Sequence, residues 1–462
     1  MPKLDLYSIV IGKNASYNEI STAKFLANNI STATGYKINV YTDDVPAKQH
    51  EIVVGKTSRE ESEGVVFERT PEREYEYEIR FVGTKLFMSG LGIPGEKIVT
   101  PYQTYARLDD GAIGTSLASC RFVETLFGEG FLFPAEISSF VDLDASEIEI
   151  DESLNYVYTR ESIYAQRPKL FDKAAFYSVP VMGSHRRFGD CLIFKSEDGS
   201  FTVYNGGFEH DAEQLCTLLE YLNENKSEKP KINTWMISMP VFGYSGALKA
   251  ICENEALCAR LSVNKVCYSV LSEKFYTSGS SSCKAEYAAF RTALLNANEA
   301  LGCEMCEVKT GDVIGSGDYK IEVLWAPTEE IESKPKVHLN DSSIVYKVYY
   351  GEQSIVLFGN ARKQASDALC ATPEKLACDV VQMANHGRDG VSRACYAATG
   401  AKKYLYQSNP AIYYGDNGEG FASEGGSISR TRNYICENGV KREDICKDTY
   451  GIISVALPAK LK

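Results

Sequence analysis

Five histidines set the first limit on what this 462-residue chain can do: His50, His185, His210, His338 and His386. Imidazole is the commonest metal ligand and the readiest general base near neutral pH. The loop Gly183-Ser184-His185-Arg186-Arg187-Phe188-Gly189 gathers three cationic side chains, and His386-Gly387-Arg388 gathers two more. Guanidinium forks suit carboxylates and phosphates, so binding of a small anion is the chemistry this set suggests. Asp190 and Asp389 are the nearby acids that would neutralise it instead. Cys303-Glu304-Met305-Cys306 is a C-x-x-C, but no second pair follows at zinc-ribbon spacing. It trails a helical pattern rather than heading one, which favours core thiols over a redox dithiol. In Ser238-Met239-Pro240-Val241-Phe242-Gly243-Tyr244-Ser245-Gly246-Ala247-Leu248, Met239 is the one soft donor, without a Cys or Met partner at helpful spacing. No P-loop, dinucleotide fingerprint or nucleophile elbow is present.

Composition narrows the partners. The chain carries 62 acidic against 49 basic residues, a net charge of −13. A net negative chain is a poor partner for a polyanion, so nucleic acid is not expected. No apolar run approaches the roughly 20 residues that span a bilayer. Met1-Pro2-Lys3-Leu4-Asp5-Leu6 does not read as a signal peptide, so a cytoplasmic location is expected. The 14 cysteines fall mostly inside apolar patterns and are expected to be reduced.

Periodicity places the elements around these residues. Tyr7 to Ile11 and Lys37 to Thr42 read as strands flanking a helix from Ser16 to Thr34 that Gly35 ends. Glu51-Ile52-Val53-Val54 is a third strand, Glu76 to Val82 and Lys85 to Gly90 a hairpin about Gly83-Thr84, and Gly114 to Leu126 a helix. The acid-rich stretch from Asp142 to Asp172 reads as a connector whose tyrosines could join two domains. Further on, Cys191 to Phe194, Phe201 to Asn205 and Ile232 to Ser238 read as strands. Asp211 to Leu222 is an amphipathic helix, and Ala285 to Leu301 another that stops at Gly302. Thr277 to Ser282 and Gly415 to Arg430 read as surface loops. The resulting division is an α/β domain over 1–145, a linker over 146–172 and a second domain over 173–462.

From Phe176 to Pro458 the segments, in order, resemble the metallo-β-lactamase superfamily, closest to the hydrolase module of DNA-uptake competence proteins. Phe188-Gly189-Asp190-Cys191-Leu192-Ile193 is similar to G-x-G-D-A-I-L-I, and Asn205-Gly206-Gly207 to a strand-ending D-G-G. Ser238 to Leu248 stands where the family carries T-H-P-H-A-D-H-x-G-G-L. Leu357-Phe358-Gly359-Asn360-Ala361 matches L-T-G-D-A, and Asp379 to Gly387 matches D-V-L-K-V-x-H-H-G. The resemblance implies an αββα sandwich. It also implies that Met239, Val241, Gly243, Tyr244, Asn360, Asn385 and His386 occupy the metal-ligand positions, with at most one imidazole kept. Two-metal hydrolysis needs that full set, so neither metal nor other cofactor is expected. His185, Arg186, Arg187, His386 and Arg388 would form a cationic rim at the mouth of the emptied site. Phe242 and Tyr244 would fill the vacated cavity.

The N-terminal segments Glu51-Ile52-Val53-Val54-Gly55-Lys56-Thr57-Ser58-Arg59, Leu86 to Gly90 and Phe122 to Pro134 resemble the non-catalytic accessory domain of family 20 glycoside hydrolases. The expected class is α/β: that accessory domain followed by a metallo-β-lactamase-like sandwich. The favoured role is binding or regulation without catalysis, with a small anion or a protein as partner. The alternatives are a hydrolase with a rebuilt site acting on a phosphoester or glycan, and carbohydrate binding through the N-terminal domain.

Overall fold

Ser16 opens the first long helix with a capping box: its hydroxyl accepts from the Glu19 N–H while the Glu19 carboxylate accepts from the Ser16 N–H. The helix, Tyr17–Thr34, ends on Gly35 in the left-handed region. In this computed structural model, residues 1–96, 113–128, 132, 143–183, 188–277, 284–334, 337–414, 431, 434–435 and 437–461 are described. They fall into two units: Met1–Ile163 with Pro410–Asn433, and Tyr164–Asn409 with Tyr434–Lys462.

The first unit is a six-stranded sheet with helices. Its strands are β1 (Ser8–Ile11), β2 (Val40–Thr42), β3 (Glu51–Val54), β4 (Tyr77–Val82), β5 (Lys85–Gly90) and β6 (Asn155–Tyr158), in the order β2-β1-β3-β5-β4-β6. β2, β1, β3 and β5 run parallel, and β4 and β6 are antiparallel to their neighbours. The segment 146–172 thus differs from the linker expected. It supplies β6, whose Tyr158 stacks on Tyr77 with ring centroids 5.2 Å apart. The unit also takes in the short helix Pro410–Tyr414, where the Tyr414 hydroxyl donates to Glu124 at 2.6 Å.

The second unit holds two mixed sheets. Its strands are β7 (Ala175–Ser178), β8 (Cys191–Lys195), β9 (Phe201–Asn205), β10 (Lys231–Met236), β11 (Ser262–Val263), β12 (Lys265–Tyr268), β13 (Glu304–Glu307), β14 (Val313–Ser316), β15 (Tyr319–Trp325), β16 (Val345–Tyr350), β17 (Gln353–Leu357), β18 (Val380–Gln382), β19 (Lys403–Tyr406), β20 (Ile445–Lys447) and β21 (Ile453–Ala456). One sheet runs β13-β12-β10-β9-β8-β7-β21, with β11 beside β10; the other runs β14-β15-β16-β17-β18-β19-β20.

Alternation sorts the side chains. Leu192 and Phe194 meet Ile321, Val323, Tyr346 and Leu357 between the sheets, whereas Cys191 and Ile193 face the helices Ala212–Leu222 and Phe242–Cys252. β17, β18 and β19 are parallel, so the helices joining them, Lys363–Leu369 and Arg393–Thr399, must cross a sheet face. The inner face is taken by the other sheet, which leaves the outer one. The unit is a four-layer αββα sandwich, the α/β class that the sequence suggests.

The helix read over Ala285 to Leu301 is two helices, Lys284–Leu295 and Ala297–Leu301, broken at Asn296, with Gly302 ending the second in the left-handed region. No helix among the described residues is long and apolar enough to cross a membrane.

Candidate functional site

The positions where the resemblance puts metal ligands do converge, but as packed core. β10 leads through Ser238 to Val241, which begins the helix Phe242–Cys252. Met239, Val241 and Tyr244 are buried with Leu271, Tyr276 and Tyr287 in one apolar cluster. Gly243 lies flat on Gly189, so closely that its carbonyl accepts from the Asp190 N–H at 3.1 Å. Phe242, partly buried, packs against the same cluster, with the rings of Tyr287 and Phe290 at 5.2 and 5.3 Å. Of the two aromatic residues expected to fill the cavity, Tyr244 is buried within the cluster and Phe242 packs against it, partly buried.

His386 fixes the chemistry of the centre. It follows β18 in the loop Asn385-His386-Gly387, where all three residues have positive φ. Its Nδ1 is 2.7 Å from the Gln407 carbonyl, which can only accept, so Nδ1 carries the proton. Nε2 is therefore the bare nitrogen and accepts from the Tyr244 hydroxyl at 2.7 Å. Burial, reinforced by the Arg388 charge, depresses the imidazole pKa to about 4 against the pull of the Gln407 carbonyl. Tyr244 is pushed well above the usual phenol range by burial and by Asp190.

Asp190, which the sequence offers as part of a strand opening and as a neutralising acid, lies beside this pair. Its Oδ1 is 3.3 Å from His386 Nδ1, but that N–H is aimed at Gln407. Burial, together with the charge of Asp448, holds the Asp190 carboxyl well above its ordinary range. A neutral imidazole beside a carboxyl that resists ionisation is a proximity, not an ion pair. Gln382 donates to Asp190 Oδ2 at 3.2 Å and accepts from the Gly359 N–H at 2.8 Å. Asp448 accepts from the Ser178 hydroxyl at 2.6 Å, and burial raises it to about 7.

Asn360, on the loop after β17, sends its backbone N–H to Ser343 at 3.0 Å; Asn385 N–H donates to the Gly359 carbonyl at 2.7 Å. Asn205 has φ of 58° and its Oδ1 accepts from the Ser238 N–H at 2.8 Å. Among the described residues, the non-glycine positions with positive φ are Asn205, Asn385 and His386. All three lie on these loops, and left-handed backbone of this kind concentrates at sites held in place by their surroundings.

These residues do not fit a metal centre. Both His386 nitrogens are engaged, the Tyr244 hydroxyl stands on the one lone pair available, and Met239, Val241 and Gly243 offer no oxygen or nitrogen side-chain donor. Among the described residues no group of three or more His, Cys, Asp or Glu side chains is placed to hold an ion. Of the cationic rim expected from sequence, His386 and Arg388 lie among the described residues. His386 is 2% exposed and neutral, so it lines no mouth. Arg388 rests its guanidinium 5.6 Å from the Phe188 ring centroid. Asp190 is buried against Gln382 and His386. His185, Arg186 and Arg187 lie outside the described residues, as does the whole of Gly415 to Arg430.

The Tyr244–His386 bond makes a direct prediction. Tyr244→Phe keeps the ring but leaves Nε2 buried without a donor, a loss of about 1–3 kcal/mol. Urea unfolding followed by tryptophan fluorescence measures it; an unchanged midpoint would show that the bond contributes nothing.

No family model matches the chain, and no curated protein matches it in sequence. Solved structures to which it is similar include the metallo-β-lactamase fold protein YhfI from Bacillus subtilis (8% identity, TM-score 0.38, covering 61% of this chain and 100% of that one). Zinc-bound PqqB from Methylobacterium extorquens is 9% identical with a TM-score of 0.35, covering 59% of this chain and 88% of the other. CmlA, a diiron β-hydroxylase from Streptomyces venezuelae, is 11% identical at 0.35, covering 76% and 62%. At these scores the likenesses decide nothing about activity, and the sandwich stands on its own strand order.

Proposed function

We propose that this chain is a metallo-β-lactamase-fold protein that has given up metal-dependent hydrolysis and acts by binding or regulation. One observation carries the reading: the Tyr244 hydroxyl sits 2.7 Å from His386 Nε2 while Gln407 holds the other nitrogen. Catalytic zinc needs three protein ligands and an open position for water, and here the one imidazole is closed by a phenol. The order of motifs from Phe188 to His386 and the αββα layers support the superfamily. The first unit, on this reading, is a scaffold of the kind that accompanies glycoside hydrolases, without chemistry of its own.

Elemental metal analysis tests the proposal. The full chain, purified without chelator, is measured as isolated and after incubation with zinc and manganese followed by desalting. Far less than one metal per chain is expected in every sample. One or two tightly held ions per chain would mean a rebuilt site and overturn the reading.

A further inference from the structure

Two of the cysteines that the function does not use are placed to react with one another. Cys370 caps the C-terminus of the helix Lys363–Leu369, and Cys395 lies in the first turn of the helix Arg393–Thr399. Their sulfurs are 3.0 Å apart, and both are thiols. A disulfide needs about 2.05 Å, so closure asks for a movement of about 1 Å. Two serines hold the pair. The Ser366 hydroxyl is 3.4 Å from Cys395 Sγ, the Ser392 hydroxyl is 3.5 Å from Cys370 Sγ, and the Ser392 N–H donates to Ser366 Oγ at 2.9 Å.

We propose that Cys370 and Cys395 form an oxidation site, a dithiol that closes to a disulfide when the chain meets hydrogen peroxide. Cys370, partly exposed, is the sulfur that peroxide reaches first; Cys395 is buried. Burial also pushes the Cys395 thiol up to about 11, which suits it to the second, resolving step rather than to the first attack on peroxide. The Cys370 thiol gives up its proton and its sulfur attacks one peroxide oxygen; the O–O bond breaks, the departing hydroxide takes up that proton, and a sulfenic acid and water result. Cys395 sulfur then attacks the sulfenic sulfur, the S–O bond breaks, its proton leaves with the hydroxyl, and a second water departs. In sum, two thiols and one peroxide give one disulfide and two waters.

Location gives the site its consequence. The helix ending at Cys370 directly follows the loop of Gly359 and Asn360, and the helix bearing Cys395 follows the loop of Asn385 and His386. Those loops are already joined by the Asn385 N–H to Gly359 carbonyl bond at 2.7 Å. The disulfide would tie the two helices behind them, bracing the Tyr244–His386 centre from the outer layer. This inference does not depend on whether the centre binds metal.

The test uses the full chain, reduced, freed of reductant and treated with a small excess of hydrogen peroxide. Remaining thiols are alkylated and the digest is run without reduction. The expected result is a Cys370–Cys395 linked peptide, loss of two thiols per chain and their return with dithiothreitol. A melting temperature raised by about 5–10 °C should accompany it, the size expected for a loop of this length. Cys370→Ser, at the more exposed position, should show neither link nor shift and should leave Cys395 alkylated. Recovery of Cys370 as an alkylated or sulfinic peptide with no link would overturn the proposal, as would the same melting shift in Cys370→Ser.

Discussion

Gly243→Ala is expected to cost about 4 kcal/mol of stability, for a reason unrelated to helix propensity. A Cβ at Gly243 would stand 2.3 Å from the Phe188 carbonyl oxygen and 2.5 Å from Gly189 Cα. Both are backbone atoms, so no side chain can rotate aside. From the opposite side, a Cβ on Gly189 would meet the Gly243 oxygen at 2.4 Å. Separation of the two segments would stretch the Asp190 N–H bond to the Gly243 carbonyl and shift Asp190, whose own carbonyl accepts from the Gly206 N–H at 3.1 Å. Overpacking alone costs about 1–3 kcal/mol, and a buried carboxyl moved from its donor Gln382 adds about 1–3 more. Gly315→Ala is the matched control: it lies in β14 with nothing within 4 Å of the added methyl. It should change stability by less than about 0.5 kcal/mol. Urea melts of both variants decide the matter, and a Gly243→Ala midpoint equal to that of Gly315→Ala would refute the contact. The same geometry bears on function. The resemblance puts a metal-binding Asp at position 243, and a Gly243→Asp substitution would meet the same wall. The missing ligand cannot be restored by one exchange, because the backbone has closed over its place.

Much of the scaffold was legible in sequence because its signals are local. The Gly35 stop of the Ser16 to Thr34 helix, the hairpin about Gly83-Thr84 and the apolar stripe Leu215, Leu218, Leu219 and Leu222 each lie within a few residues of the structure they specify. Tyr158 in β6 and Tyr414 against Glu124 were not legible, since their partners stand 81 and 290 positions away. The site divides the same way. Met239, Val241, Gly243, Tyr244 and Asn360 were found by position in an ordered series of motifs. Gln407 and Asp448 were not, although the Gln407 carbonyl holds His386 Nδ1 at 2.7 Å. Gln407 and Asp448 stand in no motif, and only the parallel pairing of β18, β19 and β20 brings their loops together. One signal was available: Asn-Gly-Gly at 205–207 and Asn-His-Gly at 385–387 are sequences that favour left-handed backbone. Their appearance after two strands of the same domain marks two loops built to a special shape.

The buried acids and the buried histidine pull stability in opposite directions with pH, and Asp448→Asn should separate them. Asp448 has a folded pKa of about 7 against an unfolded value near 3.9. Through that window the folded chain holds a proton that the unfolded chain has released, so this group makes stability fall as pH rises. At 1.36 kcal/mol per unit the whole fall is on the order of 4 kcal/mol, complete a little above pH 7. His386 works the other way. Its folded pKa of about 4 lies below the unfolded value near 6.5, so its contribution rises with pH from about 4 to 6.5, by on the order of 3 kcal/mol. Asp190, also raised, adds to the falling side. The wild-type chain should therefore lose stability from pH 5 to pH 8, with the histidine masking part of the slope below pH 6.5. Asp448→Asn keeps an oxygen for the Ser178 hydroxyl and removes the titration. Relative to wild type, it should gain roughly 3 kcal/mol on going from pH 5 to pH 8, two pH units of Asp448's window at the value above. Urea unfolding at pH 5, 6, 7 and 8 measures both curves. Parallel curves would mean that Asp448 ionises in the folded chain as freely as in water, and the neutral core drawn around His386 would then be wrong.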